Sequence, residues 1–296
     1  MADKLEIRSI KIVPYTLMTS SISAVWAFIF AIIFLLFAGA TAALFSSIPL
    51  TNVTGVPYFS MGAFATMIVA FSVALLIMAP VYAFIGNIAT AFLITLIYNL
   101  LVPRLNGIQL KVEDLRHIKE IPVVPFALIT AAVAGVLAFI FALIYGPYFG
   151  AITSISSAFA GILTAIGIII LMPIVAFIVV FIVMAISAFL YNFLAPIVGG
   201  VKFNFVNVKE AWFGIDSIEI IPFALILAVI FAIWGLLVGI IWLIIFLIAG
   251  SAVSGIIALI AIPIIDFIVV FIVLAITAFI YNFLAPRIGS VKLELE

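Results

Sequence analysis

The 296-residue sequence has no cysteine and a single histidine. Without cysteine there are no disulfides, no thiolate metal sites and no thiol nucleophile. One histidine cannot build a His-based metal site by itself. Charge is nearly as scarce. Only 7% of residues are charged, and eleven basic residues balance eleven acidic ones. No basic cluster exists, which argues against nucleic acid as a partner. The GxxxxGK[ST], HExxH, GxSxG and EF-hand patterns are all missing. No two carboxylates share an apolar block, so general acid–base chemistry has no visible players. The sequence therefore predicts no catalytic residue, no cofactor, no metal site and no enzymatic activity.

What is there is apolar. Hydrophobic residues make up 69% of the chain, against about 45–50% in soluble domains. No water-soluble core could hide that much apolar surface, so the lipid bilayer is its solvent and first partner. The basic residues fall in four short segments: Lys4 to Lys11, Arg104 to Lys119, Lys202 to Lys209, and Arg287 with Lys292. Asp266 is the only charge in the apolar blocks between them. The positive-inside rule then puts both termini and both charged loops on the cytoplasmic face of a multi-pass cell-membrane protein. Each block must leave and return, which gives six transmembrane helices.

The blocks are copies of one unit. Pro263–Pro286 matches Pro173–Pro196 at 19 of 24 positions, and Pro80–Pro103 is a more diverged third copy. In each, Tyr-Asn follows the first Pro by 18 residues: Tyr98-Asn99, Tyr191-Asn192 and Tyr281-Asn282. A second Pro then leads to Asn106, Gly199 or Gly289, residues that tolerate a left-handed backbone at a helix end. Alternating strands follow at 108–113, 201–205 and 291–296, and strands ending in Pro precede each first helix at 5–13, 120–125 and 217–222. The repeats are 1–113, 114–206 and 207–296, forming one compact transmembrane domain around a pseudo-threefold axis. The segment 291–296 is expected to pair near 5–12 and close a ring of short cytoplasmic strands. The apolar stretches before Pro80, Pro173 and Pro263 read as short outer-leaflet or re-entrant helices, because Pro breaks the helical ladder. Uncharged outer turns are expected near 46–60, 146–157 and 249–255.

This unit resembles a small actinobacterial membrane family of unknown function with two transmembrane helices. The matching residues are Ile221-Pro222-Phe223, Phe189-Leu190-Tyr191-Asn192 with Gly199-Gly200, and Val291 to Glu296. The resemblance implies a two-helix ancestor, triplicated here in a prokaryotic plasma membrane, and implies no activity.

Few residues are candidates for function. Asp266 lies one turn after Pro263, where the other copies have Ala83 and Ala176. It reads either as a first-turn acid held by the helix dipole or as an ion or proton site at an outer vestibule. Tyr98, Tyr191, Tyr281 and Trp212 read as interface anchors. Asn99, Asn192 and Asn282 read as helix-end hydrogen-bonding groups, or as an axial polar ring. Ser20, Asn87, Thr90 and Thr95 suggest close helix packing, and His117 reads as a solvated loop residue. Together these predict a scaffold or assembly component that presents its cytoplasmic strands to a protein partner. The alternative is a channel or transporter with a weakly polar axial path and Asp266 near its outer mouth.

Overall fold

A computed structural model describes residues 3–46 and 61–296. The element order is β1 (Asp3–Ile10), α1 (Ile12–Ser46), α2 (Met61–Leu105), β2 (Ile108–Glu113), β3 (His117–Glu120), α3 (Val123–Thr153), α4 (Ala158–Val198), β4 (Phe203–Lys209), β5 (Trp212–Ile218), α5 (Ile220–Ile248), α6 (Ala252–Ile288) and β6 (Lys292–Leu295). All six helices are long and apolar enough to cross a membrane. The chain is thus mainly helical and of multi-pass membrane type.

No short or re-entrant helix precedes Pro80, Pro173 or Pro263. Each of those segments is continuous with the helix that follows, in α2, α4 and α6. Proline by itself costs a helix about 3 kcal/mol, for a lost bond and a ring clash. Ending a helix inside lipid costs more. It orphans up to four N–H and four C=O groups, each worth several kcal/mol in hydrocarbon. The segments carry few polar side chains that could cap such ends, so the helix runs through. The 37 residues of α6 then measure roughly 55 Å, against a core of about 30 Å. Tilt, or emergence beyond the core, must absorb the difference.

The turns are correspondingly shorter than expected. Tyr145, Pro147 and Tyr148 belong to α3, and only residues 154–157 separate α3 from α4. There the Ser157 hydroxyl caps α4 by accepting from the Ala160 N–H at 3.1 Å. Residues 249–251 separate α5 from α6. The turn expected near 46–60, with Tyr58, lies almost wholly outside the described residues. Pro14, Pro125 and Pro222 are each third in their helix rather than last in a strand. In the first turn a proline gives up an N–H that would be unpaired anyway.

Two compact units are found, one of residues 1–15 with 92–296 and one of residues 16–91. Residues 1–113, expected as one repeat, are divided between them. In the smaller unit Asn87 Nδ2 donates to the buried Ser20 Oγ at 3.4 Å, joining α1 to α2. In the larger unit, small residues let paired helices approach closely. Gly150 packs on Gly161 and Ala165, Gly146 on Ala165 and Ile169, and Gly239 on Leu259.

The larger unit also holds one six-stranded sheet, in the order β3-β2-β1-β6-β5-β4. The segment 291–296 does pair with β1, at Ile7↔Leu295, Ser9↔Glu294 and Ile10↔Leu293. The two end strands also meet. Lys202 bridges His117, Ile118 N–H donates to Val201 O at 3.0 Å, and Phe203 N–H to Arg116 O at 2.9 Å. The sheet therefore closes on itself and has few free edges. Alternation puts Ile7, Leu110, Val112, Ile118, Leu293 and Leu295 in the interior. Each such side chain contributes about 1.5–3 kcal/mol of apolar burial. All four charged segments contribute to this one sheet, so the chain returns to it after every helical pair.

Candidate functional site

The Tyr-Asn pairs sit where the second helix of each pair meets the sheet, and they form a clasp. Tyr98 Oη donates to Ile7 O at 2.6 Å and accepts from Ile108 N–H at 3.0 Å. Tyr191 Oη donates to Ile118 O at 2.7 Å and accepts from Val201 N–H at 2.9 Å. Tyr281 Oη donates to Ile215 O at 2.5 Å and accepts from Val291 N–H at 3.3 Å. Each phenol thus bridges the strand before its helical pair to the segment after it. The sequence suggested hydroxyls among lipid headgroups. Instead all three side chains are buried, at 3–5% exposure.

The neighbouring asparagines work on the same strands. Asn99 Oδ1 accepts from Ile10 N–H and its Nδ2 donates to Ile10 O, both at 2.9 Å. Asn192 does the same to Ile121, both at 2.8 Å. Asn282 does so to Ile218, at 2.8 and 2.9 Å. A carboxamide offers one acceptor and two donors. Here it matches both backbone groups of a residue at the strand-to-helix junction, where neither ladder nor helix would satisfy them. Both polar atoms of every carboxamide are engaged.

The chain turns sharply after each second helix to bring the next strand under the phenol. Asn106, Gly199 and Gly289 take φ of 62°, 93° and 93°, the positive-φ ends expected from their residue types. The following residue lies tight against the clasp. A Cβ on Gly107 would collide with the Ile7 carbonyl, and one on Gly200 with the Ile118 carbonyl.

One further element was not read from the sequence. Glu6 Oε1 accepts from Gly107 N–H at 2.6 Å, and His117 Nε2 accepts from Gly200 N–H at 3.1 Å. In the third copy the sizes are exchanged. Gly214 stands where Glu6 and His117 stand, and Ser290 replaces the turn glycine. A Cβ on Gly214 would lie 2.7 Å from Ser290 Oγ. The signal was present as a glycine in a strand opposite a serine in a turn, but only the register shows that they face each other. His117 is thus no solvated loop residue, since it starts β3 and fastens the turn. Its partial burial lowers its pKa from the ordinary value, and nearby Lys119 and Lys202 lower it further. Glu113 is held below the usual carboxylate range by a hydrogen bond and ion pair with Lys119, at 2.9 Å. Trp212 lies in β5, with Lys11 Nζ 4.6 Å above its ring.

Asp266 is not a first-turn acid. Because α6 begins at Ala252, Asp266 lies about 20 Å into the helix and roughly 22 Å from Tyr281. It makes no hydrogen bond or ion pair among the described residues. Separately, a groove of about 490 Å³ lies between α3 and α4, lined by Tyr145, Phe149, Gly167, Ile168, Leu171, Met172 and Val175. Its lining is that of a lipid-facing surface. No group of three metal-ligating side chains occurs among the described residues.

The fold and site define a class: a multi-pass membrane protein whose returning helices are bolted by Tyr-Asn to a closed strand ring. No family model, curated protein or solved structure matches the chain.

Proposed function

We propose that the protein is a non-enzymatic assembly component of the cell membrane. Three tandem two-helix repeats, descended from one two-helix ancestor, surround a pseudo-threefold axis. Both termini and the strand ring face the cytoplasm, where the ring is presented to a protein partner. The clasp carries this reading. The Tyr-Asn pair is the polar feature that all three returning helices share, and it is committed to sheet backbone, so it offers nothing to a solute.

The β4–β5 hairpin supports a presented surface. Beyond Phe203, β4 has no strand on its outer side among the described residues. Val206 and Val208 are 52% and 47% exposed there. An open edge with apolar side chains is a template for strand addition. The channel reading keeps one observation in its favour, the unpaired carboxylate of Asp266.

Liposome flux separates the two. An assembly component gives no proton or potassium flux above protein-free vesicles, in wild type or in Asp266→Asn. Flux that disappears in Asp266→Asn would establish the channel. Cross-linking in native membranes tests the presented edge. Val206→Lys with Val208→Lys should abolish assemblies larger than the monomer while leaving helical content unchanged. Unaltered assemblies would remove the hairpin from the proposal.

A further inference from the structure

Asp266 is the only side chain in the apolar blocks that carries a charge at neutral pH. Its Oδ2 lies against Gly235 of α5, and a Cβ on Gly235 would collide with it. Glycine is what lets the carboxylate rest there. Around it, Ile264, Ile265, Ile268 and Val269 of α6 and Leu236 of α5 are exposed. The carboxylate therefore sits, half-buried, at the rim of an open apolar face. A charge at such depth is costly and is ordinarily paired.

We infer that this rim docks a transmembrane helix of another protein, one carrying a basic residue at mid-depth. Three observations exclude other occupants. A hard cation such as calcium takes six to eight oxygen ligands, and Asp266 supplies one carboxylate with no ligand cluster near it among the described residues. A lipid headgroup is too far, since Asp266 packs against Gly235 at the middle of α5, about 15 Å from either edge of a core about 30 Å thick. A second copy of these 296 residues has no counter-charge to offer, because every Lys and Arg lies in the four polar segments. Charge complementarity therefore calls for a basic residue from a different chain. This surface is separate from the β4–β5 edge, so either proposal can fail alone.

The test uses the purified protein in phosphatidylcholine vesicles. Energy transfer is measured to a poly-leucine transmembrane peptide with one central lysine, and to the same peptide with leucine there. The lysine peptide should associate about tenfold more tightly. That preference should vanish in Asp266→Asn and return in Asp266→Glu. Acetylating the lysine should also abolish it, which probes the charge without altering the protein. Equal association of the two peptides would overturn the proposal, as would a preference that survives Asp266→Asn or acetylation. Sodium or potassium binding that depends on Asp266, without peptide preference, would replace it with a cation site. Self-association that depends on Asp266 would replace it with a second copy.

Discussion

Removing the Tyr191 hydroxyl isolates the contribution of one clasp. Tyr191→Phe keeps the ring that fills the buried site and deletes a single oxygen. That oxygen serves Ile118 O at 2.7 Å and Val201 N–H at 2.9 Å. Val201 is buried, so water cannot readily replace the phenol at its N–H. Leaving a buried polar group without a partner costs about 1–3 kcal/mol. Two such groups make the expected loss about 2–6 kcal/mol, a large share of a typical stability of about 5–15 kcal/mol. Tyr281→Phe should cost roughly half as much, because its bond from Val291 N–H is already long at 3.3 Å and hydrogen bonds weaken beyond about 3.2 Å. Equilibrium unfolding in mixed micelles measures the difference. Amide exchange at Val201 locates it, and protection there should collapse in Tyr191→Phe. A loss under about 0.5 kcal/mol, or a Val201 amide as protected as in wild type, would refute the clasp as a stabilising contact.

Two more outcomes follow from the same corner. Gly200→Ala should displace the turn, because its Cβ meets the Ile118 carbonyl, whereas Gly199→Ala meets open space. The latter should cost only the strain of φ 93° with ψ 138°, a backbone other residues rarely adopt, about 1–3 kcal/mol, and thermal midpoints should rank the pair in that order. His117 accepts a hydrogen bond through Nε2, so protonation breaks that contact. Its folded pKa is lowered by burial and by Lys119 and Lys202, so below about pH 6.5 the unfolded chain binds more protons than the folded one. Stability should thus be complete above that pH and fall as pH drops below it. His117→Gln, which keeps an acceptor but does not titrate there, should flatten the slope between pH 5 and pH 7.5. An unchanged slope would remove His117 from this role.

Much of the fold was legible because lipid simplifies the problem. Segregation of charge from apolar length located the six helices, and alternation located β2 and β6 almost to the residue. The Tyr-Asn spacing pointed to a helix end, and Asn106, Gly199 and Gly289 to positive φ. What misled was local reasoning applied where the solvent changes the balance. Pro80, Pro173 and Pro263 look like breaks, yet no water is present to satisfy the broken ends. Pro14, Pro125 and Pro222 look like strand terminators, yet they initiate helices. The destination of the tyrosine hydroxyls and the exchange between Gly214 and Ser290 depend on strand register, which is non-local and leaves no periodic trace.

The neighbour relation between β1 and β6 sets a timetable for synthesis. β6, the partner of β1 on one side, is translated about 280 residues after it. At about 5–20 residues per second, the two are separated by roughly 15–60 s. The β1–β2 pair can form early, but until β6 emerges the other edge of β1 stays open. During that interval it is available to any strand that reaches it. Ribosome-stalled chains halted before residue 291 should therefore be the species most prone to intermolecular strand pairing, and emergence of β6 should end that susceptibility.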